Sequence, residues 1–204
     1  RYCKTKIRIR YLLLEVFSGI VFVLFALSIN LNVFEFNISE IVYLIFGLLY
    51  ISILFIIAGI DKEKYEVKKN VLLVGIIIQT LYIIYLYVVE KDPNMYRYVI
   101  YLILSCLLIL FSIVYLRKKG KDSYAIDVLV LSMLMVLYTY EVVYIYTVIT
   151  TLIAVVIQLL IHKIVNRKSS TVKTEEIKNI KVPIGFYMCT ANIVILIATN
   201  FWVF

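Results

Sequence analysis

The chain has 204 residues, of which 64% are hydrophobic and only 17% charged, and its mean hydropathy is +1.00. No water-soluble core of this size hides so much apolar surface, which excludes a soluble globular enzyme and implies a polytopic membrane protein with the lipid bilayer as its first partner. The net charge of +8 does not argue for a nucleic-acid partner, because the bases lie in short loops between apolar runs, where membrane topology puts them.

Residues 1 to 10 carry Arg1, Lys4, Lys6, Arg8 and Arg10 without an acid, the composition of a cytoplasmic tail. The chain begins at Arg1 without a methionine, so further residues are expected ahead of it, and no cleavable signal pattern is legible. The first apolar run, about Tyr11 to Phe34, is long enough to cross a hydrocarbon core of roughly 30 Å at about 1.5 Å per residue. Glu15 in its first turns reads as a snorkelling or ion-paired side chain. The acidic link Glu35 to Glu40 reads as external. A second span, about Ile41 to Ile60, ends at Asp61 and a loop holding Lys62, Lys64, Lys68 and Lys69. Spans three and four, about Val71 to Val89 and Tyr98 to Leu116, are joined by a polar turn with Pro93 and Asn94. The basic loop 117 to 123 leads into span five, about Tyr124 to Tyr140, and Glu141 marks the turn to span six, about Val142 to His162. A polar segment, Lys163 to Lys181, precedes Pro183 and a last span to Phe204.

The expected fold is therefore all-α, one integral membrane domain over residues 1–204 with about seven transmembrane helices and the N-terminus inside. Charge supports the count. With loops alternating sides, five bases in the tail, four in each of the next two inner loops and six in the last put 19 of the 21 Lys and Arg inside. Only Lys91 and Arg97 fall outside. Cys3, Cys106 and Cys189 are far apart and form no CxxC pair, so neither a zinc site nor a disulfide framework is expected. His162 could relay protons, but a satisfied interfacial histidine or one pairing with headgroups is the favoured reading. Tyr82, Tyr85, Tyr87, Tyr96, Tyr98 and Tyr101 read as an interfacial belt, and Gly47 and Gly75 as points of close helix approach.

Two acids stand out, Asp61 at the inner end of span two and Asp127 a few residues inside the inner end of span five. A carboxylate within a membrane helix costs about 2.5 to 3.5 kcal/mol at the helix centre, less near the interface, and marks a functional candidate. Two carboxyls close together in a low-dielectric pocket do not both ionise readily, so one holds the proton while the other can activate water, and the pair titrates as a unit. The alternative is that each acid caps a helix start or pairs with a neighbouring lysine such as Lys62 or Lys121.

Three stretches resemble the prepilin peptidases, membrane aspartic proteases that clip the leader from type IV pilin-like precursors. Ile60 and Asp61 with the following polar stretch and span are similar to that family's first catalytic motif. Tyr124, Ala125, Ile126, Asp127 and Val128 stand where it has GxGD, and Val182, Pro183, Ile184, Gly185 and Phe186 resemble its Ile-Pro-Phe-Gly lead-in to the final span. The resemblance covers about residues 41–204, leaving 1–40 as a basic tail plus an extra first span. Both glycines of GxGD are replaced, by Tyr124 and Ile126, and Lys68 stands in place of the proline after the first Asp. Asp122 is the alternative to Asp127 in a shifted register.

The resemblance implies a multi-pass protein of a bacterial or archaeal plasma membrane whose catalytic residues, Asp61 and Asp127, face the cytoplasm without cofactor or metal. Its partners would be pilin-like precursors with a basic leader before an apolar helix. Glu63, Glu66 and the aspartate pair are the only acids placed to meet such a leader. No CxxC-bearing insertion is present, so cleavage without N-methylation is expected. The lost glycines leave open a catalytically degenerate relative that binds precursors or serves assembly. A transporter is disfavoured, because no internal repeat and no broken helices are legible.

Overall fold

The computed structural model describes residues 9–29, 38–91, 95–116, 124–168 and 182–203, and all regular structure among them is helical. In chain order the helices are α1 (Ile9–Ser28), α2 (Ile38–Lys64), α3 (Lys69–Tyr85), α4 (Met95–Phe111), α5 (Tyr124–Tyr138), α6 (Glu141–Lys168) and α7 (Ile184–Val203). A π-helical turn follows each of α3 and α4, Leu86–Glu90 and Ser112–Leu116. The all-helical expectation holds for the described residues.

Five helices are long and apolar enough to cross a membrane: α2, α3 with its π turn, α4, α6 and α7. The described side chains of α1, from Glu15, and all of α5 form shorter apolar helices. At 15 residues α5 rises only about 22 Å, less than the roughly 30 Å hydrocarbon thickness. It is also the most enclosed helix, with Val130, Leu131, Leu134, Met135 and Leu137 fully buried. A helix surrounded by protein has little lipid to match in length.

Packing follows the apolar periodicity. On α2 the buried stripe runs Gly47, Tyr50, Leu54, Ile57 and Asp61, steps of three and four residues that keep one face inward. α7 packs against α2 and α6, α5 lies against α3 and α4, and α1 runs beside α2 and α7. A Cβ on Gly47 would overlap Phe25 and the Tyr138 hydroxyl, and one on Gly75 would sit 3.0 Å from Leu134. Both glycines permit close approach, as expected.

Several boundaries differ from the expected ones. α2 continues through Asp61 to Lys64 and stops at Tyr65, whose φ of 53° is left-handed and whose N–H donates to the Asp61 carbonyl at 2.9 Å. That is a helix C-terminal geometry in which glycine is usual. α6 runs to Lys168 instead of ending at His162, because lysine and arginine are good helix formers and suit the negative end of the helix dipole. Tyr82 is not in an interfacial belt; it is buried against Phe46 and Tyr138. Tyr87 and Tyr96 are exposed, as a belt requires. Arg97 pairs with Glu141 at 3.2 Å, joining two residues assigned to the same side. Glu15 is exposed. Cys3, Asp122, Lys121 and the rest of the 117–123 loop lie outside the described residues.

Candidate active site

The N-terminus of α7 organises one end of the bundle. Every helix begins with backbone N–H groups that have no intrahelical acceptor, and here the residue before the helix is Pro183, which has no side-chain acceptor to offer. The Ile184 N–H donates to the nearby Val182 carbonyl at 2.9 Å, and the side-chain caps come from two other helices. The Ile184 N–H donates to the Tyr124 hydroxyl oxygen at 2.8 Å and the Gly185 N–H to the same atom at 3.3 Å. The Phe186 N–H donates to Asp61 Oδ2 at 2.8 Å. The Tyr124 hydroxyl lies 3.2 Å from Asp61 Oδ2, to which it donates, and 3.5 Å from the Val182 carbonyl.

Asp61 is therefore completely buried yet half committed. Its Oδ2 accepts two hydrogen bonds and sits at the positive end of the α7 dipole, where a carboxylate is favoured. Its Oδ1 is buried without a hydrogen-bond partner. Gly185 makes the approach possible, since a Cβ there would stand 3.1 Å from Asp61 Oδ2 and 3.4 Å from Val67. Lys62, one residue on, turns outward and lays its ammonium 4.9 Å from the centre of the Phe186 ring, a cation–π contact over the residue that binds Asp61.

Asp127 enters from the first turn of α5 and is 3% exposed. Its Oδ1 accepts from the Ser112 hydroxyl at 2.9 Å. Ser112 opens the π turn after α4, and its carbonyl accepts from Lys69 Nζ at 3.2 Å, which ties the start of α3 to the end of α4. Such π turns recur at functional sites because they displace backbone groups from the regular ladder.

The two aspartates singled out from sequence thus come to one end of the bundle. Tyr124, bonded to Asp61, lies three residues before Asp127 on the same face of α5, an axial rise of about 4.5 Å. The capping alternative is also partly realised, since Asp61 does cap a helix, the distant α7. Lys62 pairs with a ring instead of an acid. Glu63 and Glu66 are exposed beside this end, and His162 lies half-buried on α6. Among the described residues no three His, Cys, Asp or Glu side chains gather to hold a metal ion.

Tyr124, Ser112 and Lys69 were not expected from sequence as parts of the site. Tyr124 carried a usable signal, its three-residue spacing from Asp127. Ser112 was one small hydroxyl in an apolar span, and Lys69 one of many loop bases.

No family model matches the chain, and no curated protein or solved structure matches it either.

Proposed function

We propose that the chain is a membrane aspartic endopeptidase of the prepilin-peptidase kind, acting at the cytoplasmic face with Asp61 and Asp127 as its acid–base pair. One observation carries the proposal: both carboxyls are buried at the same bundle end, and Asp61 keeps Oδ1 unpartnered there. Burying two acids in a membrane protein is costly, and a carboxyl oxygen left without a donor adds to that cost, which chemistry would explain.

In the proposed reaction a water held between the carboxyls adds to a peptide carbonyl carbon. The ionised carboxyl takes the water proton while the protonated one gives its proton to the carbonyl oxygen. Collapse of the tetrahedral adduct breaks the C–N bond: the departing nitrogen takes a proton from the carboxyl that is now protonated, while the ionised one takes a proton from a hydroxyl of the adduct, which leaves a carboxylic acid and restores the pair. In this reading all seven helices cross the bilayer with the N-terminus inside, and the substrate is a precursor with a basic leader ahead of an apolar helix, cut between the two.

A second reading, a non-catalytic relative that binds such precursors, is favoured by one specific observation. Asp61 and Tyr124 together cap α7, a structural task that would retain them without chemistry.

Co-expression with a pilin-like precursor tests the proposal. Wild type should release the leader, whereas Asp61→Asn and Asp127→Asn should each lower the rate about 10²- to 10⁴-fold, with Asp122→Asn unchanged. Asparagine at 61 still offers an oxygen to the Phe186 N–H, so the fold should persist. A folded wild type that cleaves no precursor would favour the binding relative.

A further inference from the structure

Tyr124 stands where the first glycine of GxGD would be, and its hydroxyl bonds both the Asp61 carboxyl and the first turn of α7. It accepts from two successive amides, Ile184 and Gly185, and its single proton has Asp61 Oδ2 at 3.2 Å as the nearer acceptor and the Val182 carbonyl at 3.5 Å as the farther one. The Phe186 N–H reaches the same carboxyl oxygen. Two donors from different helices on one oxygen fix the plane of the carboxyl about its Cβ–Cγ bond, because intermediate orientations lose both bonds and a full flip only exchanges the two oxygens. One carboxyl oxygen, in the position of Oδ1, then stays buried without a partner.

We propose that Tyr124 is a positioning residue of this site: its hydroxyl pins the plane of the Asp61 carboxyl to the start of α7 and so presents one oxygen, in the position of Oδ1, for proton exchange with water. The kinetic consequence rests on the aspartic peptidase reading; the pinning itself does not. Because Tyr124 and Asp127 share the first turn of α5, the same contact also sets the Asp61 helix against the helix that carries the second acid. A side chain thus supplies here, through a hydroxyl, a fixed geometry at a place where glycine would leave open space.

The test is Tyr124→Phe, which keeps the ring and removes only the hydroxyl, with two readouts. On a pilin-like precursor kcat should fall about tenfold, the worth of one hydrogen bond that orients a reacting group, while KM stays within about twofold. A purely structural loss would instead lower the amount of active protein. The second readout needs no turnover. The Asp61 carboxyl C=O band, isolated by subtracting the infrared spectrum of Asp61→Asn in each background at acidic pH, should move to higher wavenumber once the hydroxyl donor is gone. An unshifted band, or an unchanged kcat in an enzyme that cleaves, overturns the positioning role. If wild type cleaves nothing, the peptidase reading fails and the band alone decides this inference. Should Tyr124→Phe not fold, Ile184→Pro carries the test. It removes one amide that holds the hydroxyl, at a first helical position that suits proline, and a smaller shift in the same band supports the pin, whereas none overturns it.

Discussion

The two ends of the bundle bury polar groups in different ways. Toward the start of α2 and the end of α5, tyrosines stack: Tyr138 lies against Tyr50 at 4.5 Å and Tyr43 at 5.5 Å between ring centroids. Their hydroxyls are matched. Tyr138 donates to the Tyr43 carbonyl at 3.1 Å, and Tyr50 donates to Asn192 Oδ1 at 2.7 Å, whose Nδ2 donates in turn to Thr147. At the other end, Asp61 and Tyr124 cap a helix while Asp61 Oδ1 stays without a partner. A satisfied polar cluster specifies packing. A cluster with capacity left over at buried acids is where chemistry is to be sought.

That contrast breaks if mutations at the two ends have the same signature. Tyr138→Ala should have the largest effect, about 3 kcal/mol or more of lost stability from the cavity between Tyr43 and Tyr50, read as a lowered unfolding midpoint in detergent. Cleavage per folded molecule should be unchanged. Gly185→Ala should do the reverse. Its Cβ would press on Asp61 Oδ2 at 3.1 Å, so a shift of a few tenths of an ångström in the carboxyl should slow cleavage about 10- to 100-fold with a loss of about 1 kcal/mol in the same unfolding assay. Equal losses of stability and rate in both variants would erase the distinction.

The smallest expected effect concerns an exception to it. Gln79, in the middle of α3 and 1% exposed, has neither amide atom partnered, although it lies ten residues from Lys69 and away from the acids. Gln79→Leu removes an unsatisfied amide at similar volume, so stability should rise by up to about 1 kcal/mol, with cleavage unchanged. A loss of cleavage would extend the functional region into the core.

Much of this was legible in the sequence, for a physical reason that can be followed residue by residue. Asp61 continues the stripe Gly47, Tyr50, Leu54 and Ile57 at helical spacing, so its burial followed from periodicity once α2 was extended past Ile60. Asp127 was legible because an ionisable group inside an apolar run has few innocent explanations. Tyr82 misled because tyrosine serves equally at an interface and in a stacked core, and only its neighbours decide between them. The end of α6 was missed because a run of bases is compatible with helix and loop alike.

Composition and spacing by themselves determined that the chain is apolar and all-helical and roughly where its described helices run, since these depend on local hydropathy and on the 3.6-residue turn. Only the tertiary structure decided who partners whom. Pro183 offers α7 no side-chain cap, and apart from the Val182 carbonyl, which accepts from the Ile184 N–H, the acceptors that its amides found, Tyr124 and Asp61, lie 60 or more residues away in sequence. No local pattern encodes that choice. It arises when separate helix ends, each with unsatisfied backbone groups, are brought together where water does not satisfy them.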